Sequence, residues 1–225
     1  MRNIAAEPPI SRTAGATSTH PQTASHRTQR RVQPLELSEW VEERLGRLSD
    51  RWLREIQSRY DRSTQGVNGL LEEFVDLLVR FLPAMLGPYR DEVEPLWVRG
   101  AELFGNVAAR RGLAAGEVIE EFQILREAVI RLLYQEPPLD GRARISLREV
   151  LRLNRAIDRG VTHASVGHTD ALFFSLFEGS GVPDVPPTAE LKAEIQSQLD
   201  ALREELREAI APSLATRSLA VDEGR

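Results

Sequence analysis

The sequence predicts an all-α protein: a five-helix bundle followed by a separate, coiled-coil-like helix. Three observations predict it. From residue 37 onward, apolar residues recur at steps of three and four, the period of one helix face. No stretch alternates apolar and polar residues as a half-buried strand does. Gly- and Pro-containing breaks cut the pattern into pieces of helical length.

The elements follow in order. Residues 1–34 are rich in Ser, Thr, Gln, Arg and Pro and poor in large apolar residues, which predicts a disordered arm. The arm is basic, with Arg2, Arg12, Arg27, Arg30 and Arg31 against Glu7 alone, but no aromatic residue is present to stack on bases. A helical domain is expected over 37–178. Its first helix carries Leu37, Val41, Leu45, Leu48, Trp52 and Ile56 on one face, with Ser38 as a plausible N-cap, and breaks at Asp61 to Gly66. The second carries Val67, Leu70, Phe74, Leu77, Phe81 and Met85. Leu71, Leu78 and Leu82 widen that stripe, so this helix should be the most buried, ending at Pro83 and Gly87-Pro88.

Val93, Leu96, Trp97, Phe104 and Ala108 mark the third helix, which stops at Gly112. Val118, Phe122, Leu125, Val129 and Leu132 mark the fourth, and a loop follows from Gln135 to Gly141. The fifth begins near Ile145 and runs toward Phe177, with Val150, Asn154, Ile157, Val161, Ala164, His168 and Ala171 in register. Gly160 and Gly167 lie inside it at a cost of roughly 1 kcal/mol each relative to Ala. Ala156, Gly160 and Ala164 form a flat strip that admits another helix closely; a kink at Gly160 or a break near Gly167 is the alternative. A Pro-rich linker, 179–187, precedes a helix over 188–211 that Thr188 caps. Its narrow seam of Ile195, Leu199, Leu202, Leu206 and Ala209 has charged flanks, as in a coiled coil. Residues 212–225 read as a disordered tail.

Composition excludes several classes. The 225 residues carry a net charge of -5, which argues against nucleic acid as a partner. Cysteine is absent, so disulfides and Cys-ligated metals are excluded, and a reducing cytoplasm fits. The most apolar stretch, Val67 to Leu86, holds Glu72, Glu73, Asp76 and Arg80, too many charges for a membrane span. No secretion signal opens the chain.

No phosphate loop, zinc-protease motif or nucleophile elbow is present. Glu120, Glu121 and Glu127, near Arg126 and Arg131, suit a solvated charged helix face. His163 and His168 are five apart and so point in different directions, unlike a ligand pair at i and i+4. His168 falls on the apolar stripe, where a hydrogen-bonded interface role is expected. His163 falls off it, and a phospho-accepting role is the sharper alternative. No metal or cofactor is expected. Trp97, Phe104, Phe122 and Arg126 are ligand-pocket candidates, since bundle helices can enclose a small molecule. For each aromatic residue, core packing is the competing role.

Residues 111–133, RGLAAGEVIEEFQILREAVIRLL, resemble the N-terminal domain of the RsbT co-antagonist RsbRD and related bacterial sensor proteins. The likeness rests on Arg110, Arg111, Gly112, Leu113, Glu117, Val118, Phe122, Leu125 and Arg126. Upstream, FVDLLVRFLPAML is similar to a Leu-rich family helix, and LNRAIDRGV, 153–161, to the family's last helix. The resemblance covers roughly 38–178. It implies a globin-like sensory domain without haem, often dimeric, placed ahead of an output domain such as STAS or a histidine kinase. Residues 162–172, THASVGHTDAL, depart from the family pattern, and no output domain follows in this sequence. The expectation is therefore a non-catalytic, cytoplasmic signalling module linked to stress-response sensors. It would form a homodimer through parts of the first helix, through Asn154, Ile157, Val161 and His168 of the fifth and through Leu199, Leu202 and Leu206 of the last. It would act in trans on a kinase, phosphatase or STAS-type protein. A structural or assembly protein, or a histidine phosphotransfer protein using His163, are the alternatives.

Overall fold

A computed structural model describes residues 30–59, 68–138, 143–177 and 189–222, with 68, 143–144 and 212–222 as backbone alone. Most of the arm, the break at Asp61 to Gly66, the 179–187 linker and the Thr188 cap lie outside the described residues. Within them the chain is all-helical, apart from one two-residue parallel ladder. The elements are β1 (Arg30–Arg31), α1 (Pro34–Glu42), α2 (Leu45–Arg59), α3 (Asn68–Leu86), α4 (Arg90–Arg110), α5 (Ala115–Gln135), β2 (Ala143–Arg144), α6 (Leu147–Phe177) and α7 (Ala189–Asp222).

Five boundaries differ from the sequence expectation. The first helix starts earlier, at Pro34 with Gln33 as its N-cap, so Ser38 lies buried inside it and caps nothing. The end of the arm is ordered: Arg30 and Arg31 pair with Ala143 and Arg144, and Val32 is buried. The first helix is two helices. Arg44 folds back over the Trp40 ring, 4.8 Å from its centre, and donates to the Trp40 carbonyl at 3.1 Å, which turns the chain. Pro83 does not end α3 but sits inside it, and the Gly87 N–H closes the last turn on the Pro83 carbonyl at 2.9 Å. Finally, α7 runs past Pro212 to Asp222.

The helix ends are specified locally. The Glu36 carboxylate accepts from the Gln33 N–H at 2.8 Å, and Glu117 accepts from the Ala114 N–H at 2.7 Å. At the start of α6 the Glu149 carboxylate likewise accepts from the Ser146 N–H, at 3.2 Å, and from its hydroxyl. At the end of α4, Gly112 adopts φ +77, a region L side chains avoid. The Leu113 N–H then reaches back to the Ala108 carbonyl at 3.1 Å and Gly112 to Ala109 at 3.0 Å, the double closure of a glycine-terminated helix.

Helix α3 is buried along most of its length and packs on α1, α2, α4 and α7. The centre of the core is aromatic. Phe104 and Phe122 meet edge to face at 5.5 Å, Trp97 and Phe122 at 6.2 Å, and Trp52 touches both phenylalanines. Each tryptophan N–H finds a backbone carbonyl: Trp40 that of Glu136 at 2.8 Å, Trp52 that of Glu121 at 2.6 Å, Trp97 that of Ala156 at 3.0 Å.

The most intimate contact joins α4 and α6. The small-residue strip of α6 faces α4 so closely that a methyl at Gly105 would overlap the Ala164 carbonyl. One at Gly167 would overlap the Glu102 carbonyl. Gly160 has a different task. A Cβ there would come within 2.6 Å of Trp97 and 2.7 Å of Phe122, so its absence lets the indole lie on α6 and reach Ala156. Helix α6 is continuous through both glycines.

Candidate functional site

Helix α7 returns across the bundle and lies on α3 and α4. Its apolar seam faces inward: Ile195, Leu199, Leu202 and Leu206 are each at most 5% exposed. Polar clasps flank the seam. Glu73 of α3 accepts from Gln196 at 2.5 Å and from Arg203 at 3.0 Å, and Arg99 of α4 pairs with Glu205 at 2.6 Å. Those ion pairs are partly exposed, so each adds little, and the apolar seam holds the helix.

A groove opens on each side of α7. One, of about 430 Å³, lies among α1, α3, the Gly87–Tyr89 turn and α7. Leu35, Leu45, Pro83, Ala84, Leu206 and Ile210 give it an apolar floor, and Arg80, Arg203, Arg207, Glu42 and Asp76 rim it. Arg80 pairs with Asp76 at 2.7 Å, and Arg207 pairs with Glu204, which holds the guanidinium above its ordinary pKa. The second groove, of about 510 Å³, lies among α4, α6 and α7 and is more polar, with Arg99, Glu102, Asn106, Asp170, Ser197 and Gln198 around Phe174. Both volumes fall in the range of small-molecule sites, and α7 is a wall of each.

The sequence-derived candidates fall elsewhere. Trp97, Phe104 and Phe122 are at most 2% exposed and fill the core with one another, so they enclose no pocket. Arg126 pairs with Asp158 on α6. None of the four lines either groove. Of the residues expected at a dimer interface, Ile157, His168, Leu199, Leu202 and Leu206 are buried inside a single chain. In this arrangement they have no surface left for a second copy. Asn154 and Val161 are half-buried, and Asn154 Oδ1 is shut off from solvent without a partner.

Glu121 is not on a solvated face. It is fully buried on α5 and makes a two-pronged ion pair with Arg111, at 2.8 and 3.1 Å. Burial pushes its carboxyl above the ordinary glutamate range, and the Arg111 guanidinium opposes that shift. The positive φ of Gly112 turns the chain so that Arg111, at the end of α4, meets Glu121. The same turn places the Leu113 carbonyl to accept from His168 Nε2 at 2.7 Å. A carbonyl only accepts, so that nitrogen carries the proton.

His163 is partly exposed on α6, and its Nδ1 lies 2.8 Å from Glu102 Oε1. A carboxylate only accepts there, so Nδ1 carries a proton and Nε2 is the nitrogen turned away from Glu102. Among the described residues no group of three or more His, Cys, Asp or Glu side chains is placed to hold a metal. Nor, among the described residues, is any helix long and apolar enough to cross a membrane.

Comparison with protein-family models, with curated proteins and with solved structures found no match.

Proposed function

We propose that this protein is a non-catalytic regulator that works by protein–protein contact, a globin-like helical sensor module of the kind residues 111–133 resemble. In this reading α7 is the transmitting element. Its docked position between two grooves is the observation that carries the proposal. A molecule seated in either groove touches α7 directly, so it binds the docked and undocked states differently, the condition for shifting the balance between them. Four large apolar side chains hold α7, each contributing about 1.5–3 kcal/mol of burial, so the docking is a small part of the whole core. Undocking exposes a narrow apolar seam with charged flanks, the kind of surface that zips onto another helix. The partner acts in trans, in the cytoplasm, as a kinase, phosphatase or STAS-type protein, and the module is a homodimer.

Native-state hydrogen exchange tests the reading. The amides of residues 192–209 should exchange through an opening smaller than the one that exposes α5. Exchange of α7 only together with α5 would make it an ordinary core helix and sink the transmitter role.

The Glu102–His163 pair favours a second reading, phosphotransfer. With Nδ1 held by the carboxylate, Nε2 would form a bond to the phosphorus of a phosphoaspartyl donor as the donor's P–O bond breaks and its carboxylate leaves. Acid-labile phosphate that forms on the native chain and not on His163→Gln supports it. Inertness toward acetyl phosphate and toward a phosphorylated receiver domain discards it.

A further inference from the structure

The last two turns of α6, Ala171 to Phe177, contain no charged residue. Ala171 is their last buried position. Beyond it Phe173 is 54% exposed, Phe174 63%, Leu176 69% and Phe177 75%. The three rings cluster with one another: Phe173 lies 4.5 Å from Phe177 and 6.3 Å from Phe174, centre to centre. A helix end that is apolar all round is normally covered. We propose that this aromatic end of α6 is the surface through which two copies of the chain associate.

Three arguments single out a second copy as the occupant. The first is area. Large aromatic side chains carry about 150–250 Å² each, so the four residues together leave on the order of 500 Å² of apolar surface in water. Two such ends carry on the order of 1,000 Å² between them, so their complete burial reaches the size at which specific interfaces begin. The second is charge. Ala171 to Phe177 offers no charge of its own to a foreign partner, and across a two-fold axis the rings themselves bring no like charges together. The third is chemistry. Aromatic side chains are the residues that dominate such contacts when stacked at the centre of an interface. Phe174 also lines the groove shared with α7, so a second copy seated here adjoins the transmitting helix.

The assignment rests on the homodimer half of the proposed function. Molecular mass reports on it and α7 exchange does not, so either half can fail alone. The test is sedimentation velocity on the full chain from about 1 to 100 µM, beside Phe173→Ser/Phe177→Ser and, as a control, Tyr134→Ser. Tyr134 is 82% exposed on a different helix. The expected result is a dimer whose dissociation constant rises at least about 30-fold in the double phenylalanine variant, with circular dichroism unchanged, and stays put in Tyr134→Ser. Because the chain has no cysteine, Phe177→Cys adds a unique thiol that should oxidise to a disulfide-linked dimer, whereas Tyr134→Cys should not. A monomer at every concentration overturns the proposal. A dimer that survives loss of both phenylalanines, or equal cross-linking of the two thiols, overturns it as well.

Discussion

Truncating Leu199 to alanine should separate α7 from the rest of the molecule. Leu199 is fully buried at the middle of the seam, with Ile195 and Leu202 on either side. Removing a leucine side chain from such a site costs about 2–5 kcal/mol through lost burial and the cavity left behind. The whole seam supplies roughly 6–12 kcal/mol at about 1.5–3 kcal/mol per residue, so one substitution removes a large share of it. The chain has its own paired reporters. Trp40, Trp52 and Trp97 all lie in the α1–α4 part of the bundle and none in α7, and a dye on Ala193→Cys would be the only thiol adduct. In urea, the dye on Leu199→Ala should report a transition well below the tryptophan midpoint, while the tryptophan transition moves little. Coincident transitions shifted together, the signature of a single cooperative unit, would refute the reasoning.

The Arg111–Glu121 pair should behave as buried pairs do: Glu121→Leu alone strands a buried guanidinium and lowers stability by about 3–5 kcal/mol, while adding Arg111→Met recovers most of it in denaturant titrations. Because the folded Glu121 carboxyl is raised above its ordinary value of 4.5, the folded state holds a proton the unfolded chain has lost. The native protein should therefore lose stability as pH rises from that value through the raised one, and Arg111→Met/Glu121→Leu should not. Arg47 holds Glu136 below the ordinary carboxylate range with bonds at 2.7 and 2.6 Å. Its contribution is present above the ordinary pKa and lost as pH falls through the depressed one, so Arg47→Gln should flatten the acid limb of a stability profile, less so in high salt. Calorimetry should rank three glycine substitutions. Gly105→Ala, which drives a methyl into backbone, costs about 3 kcal/mol; Gly160→Ala, which meets the Trp97 and Phe122 side chains instead of backbone, costs less; Gly46→Ala, with nothing near, gains about 0.5–1 kcal/mol.

Periodicity revealed what is local. The stripes of α3 to α6 and the small-residue strip of Ala156, Gly160 and Ala164 are written in neighbours three and four apart; the backbone contact itself falls at Ala164 and at Gly167, while Ala156 and Gly160 receive the Trp97 indole. What sequence spacing does not carry is which surface a stripe meets. The seam of α7 reads the same whether it fills a groove in its own chain or in another, and the structure fills it with α3 and α4. Glu121 looks like any helix-surface glutamate, because its partner is ten residues back across a glycine turn. The break after Glu42 involves neither Gly nor Pro; it comes from Arg44 settling on Trp40 and lying near Glu136, a contact 92 residues apart in the chain. The phenylalanines at 173, 174 and 177 were legible only as the continuation of a helix. Their exposure depends on where the buried contacts of α6 stop, after Ala171.

The glycine contact between α4 and α6 has a mechanical consequence. At Gly105–Ala164 and at Glu102–Gly167 the two backbones touch with no side chain between them to roll or re-pack, which pins α6 to α4 at those two points. The Trp97–Ala156 bond is a third tie, so α6 is anchored from Ala156 to Gly167 and its three phenylalanine rings project beyond the last anchor.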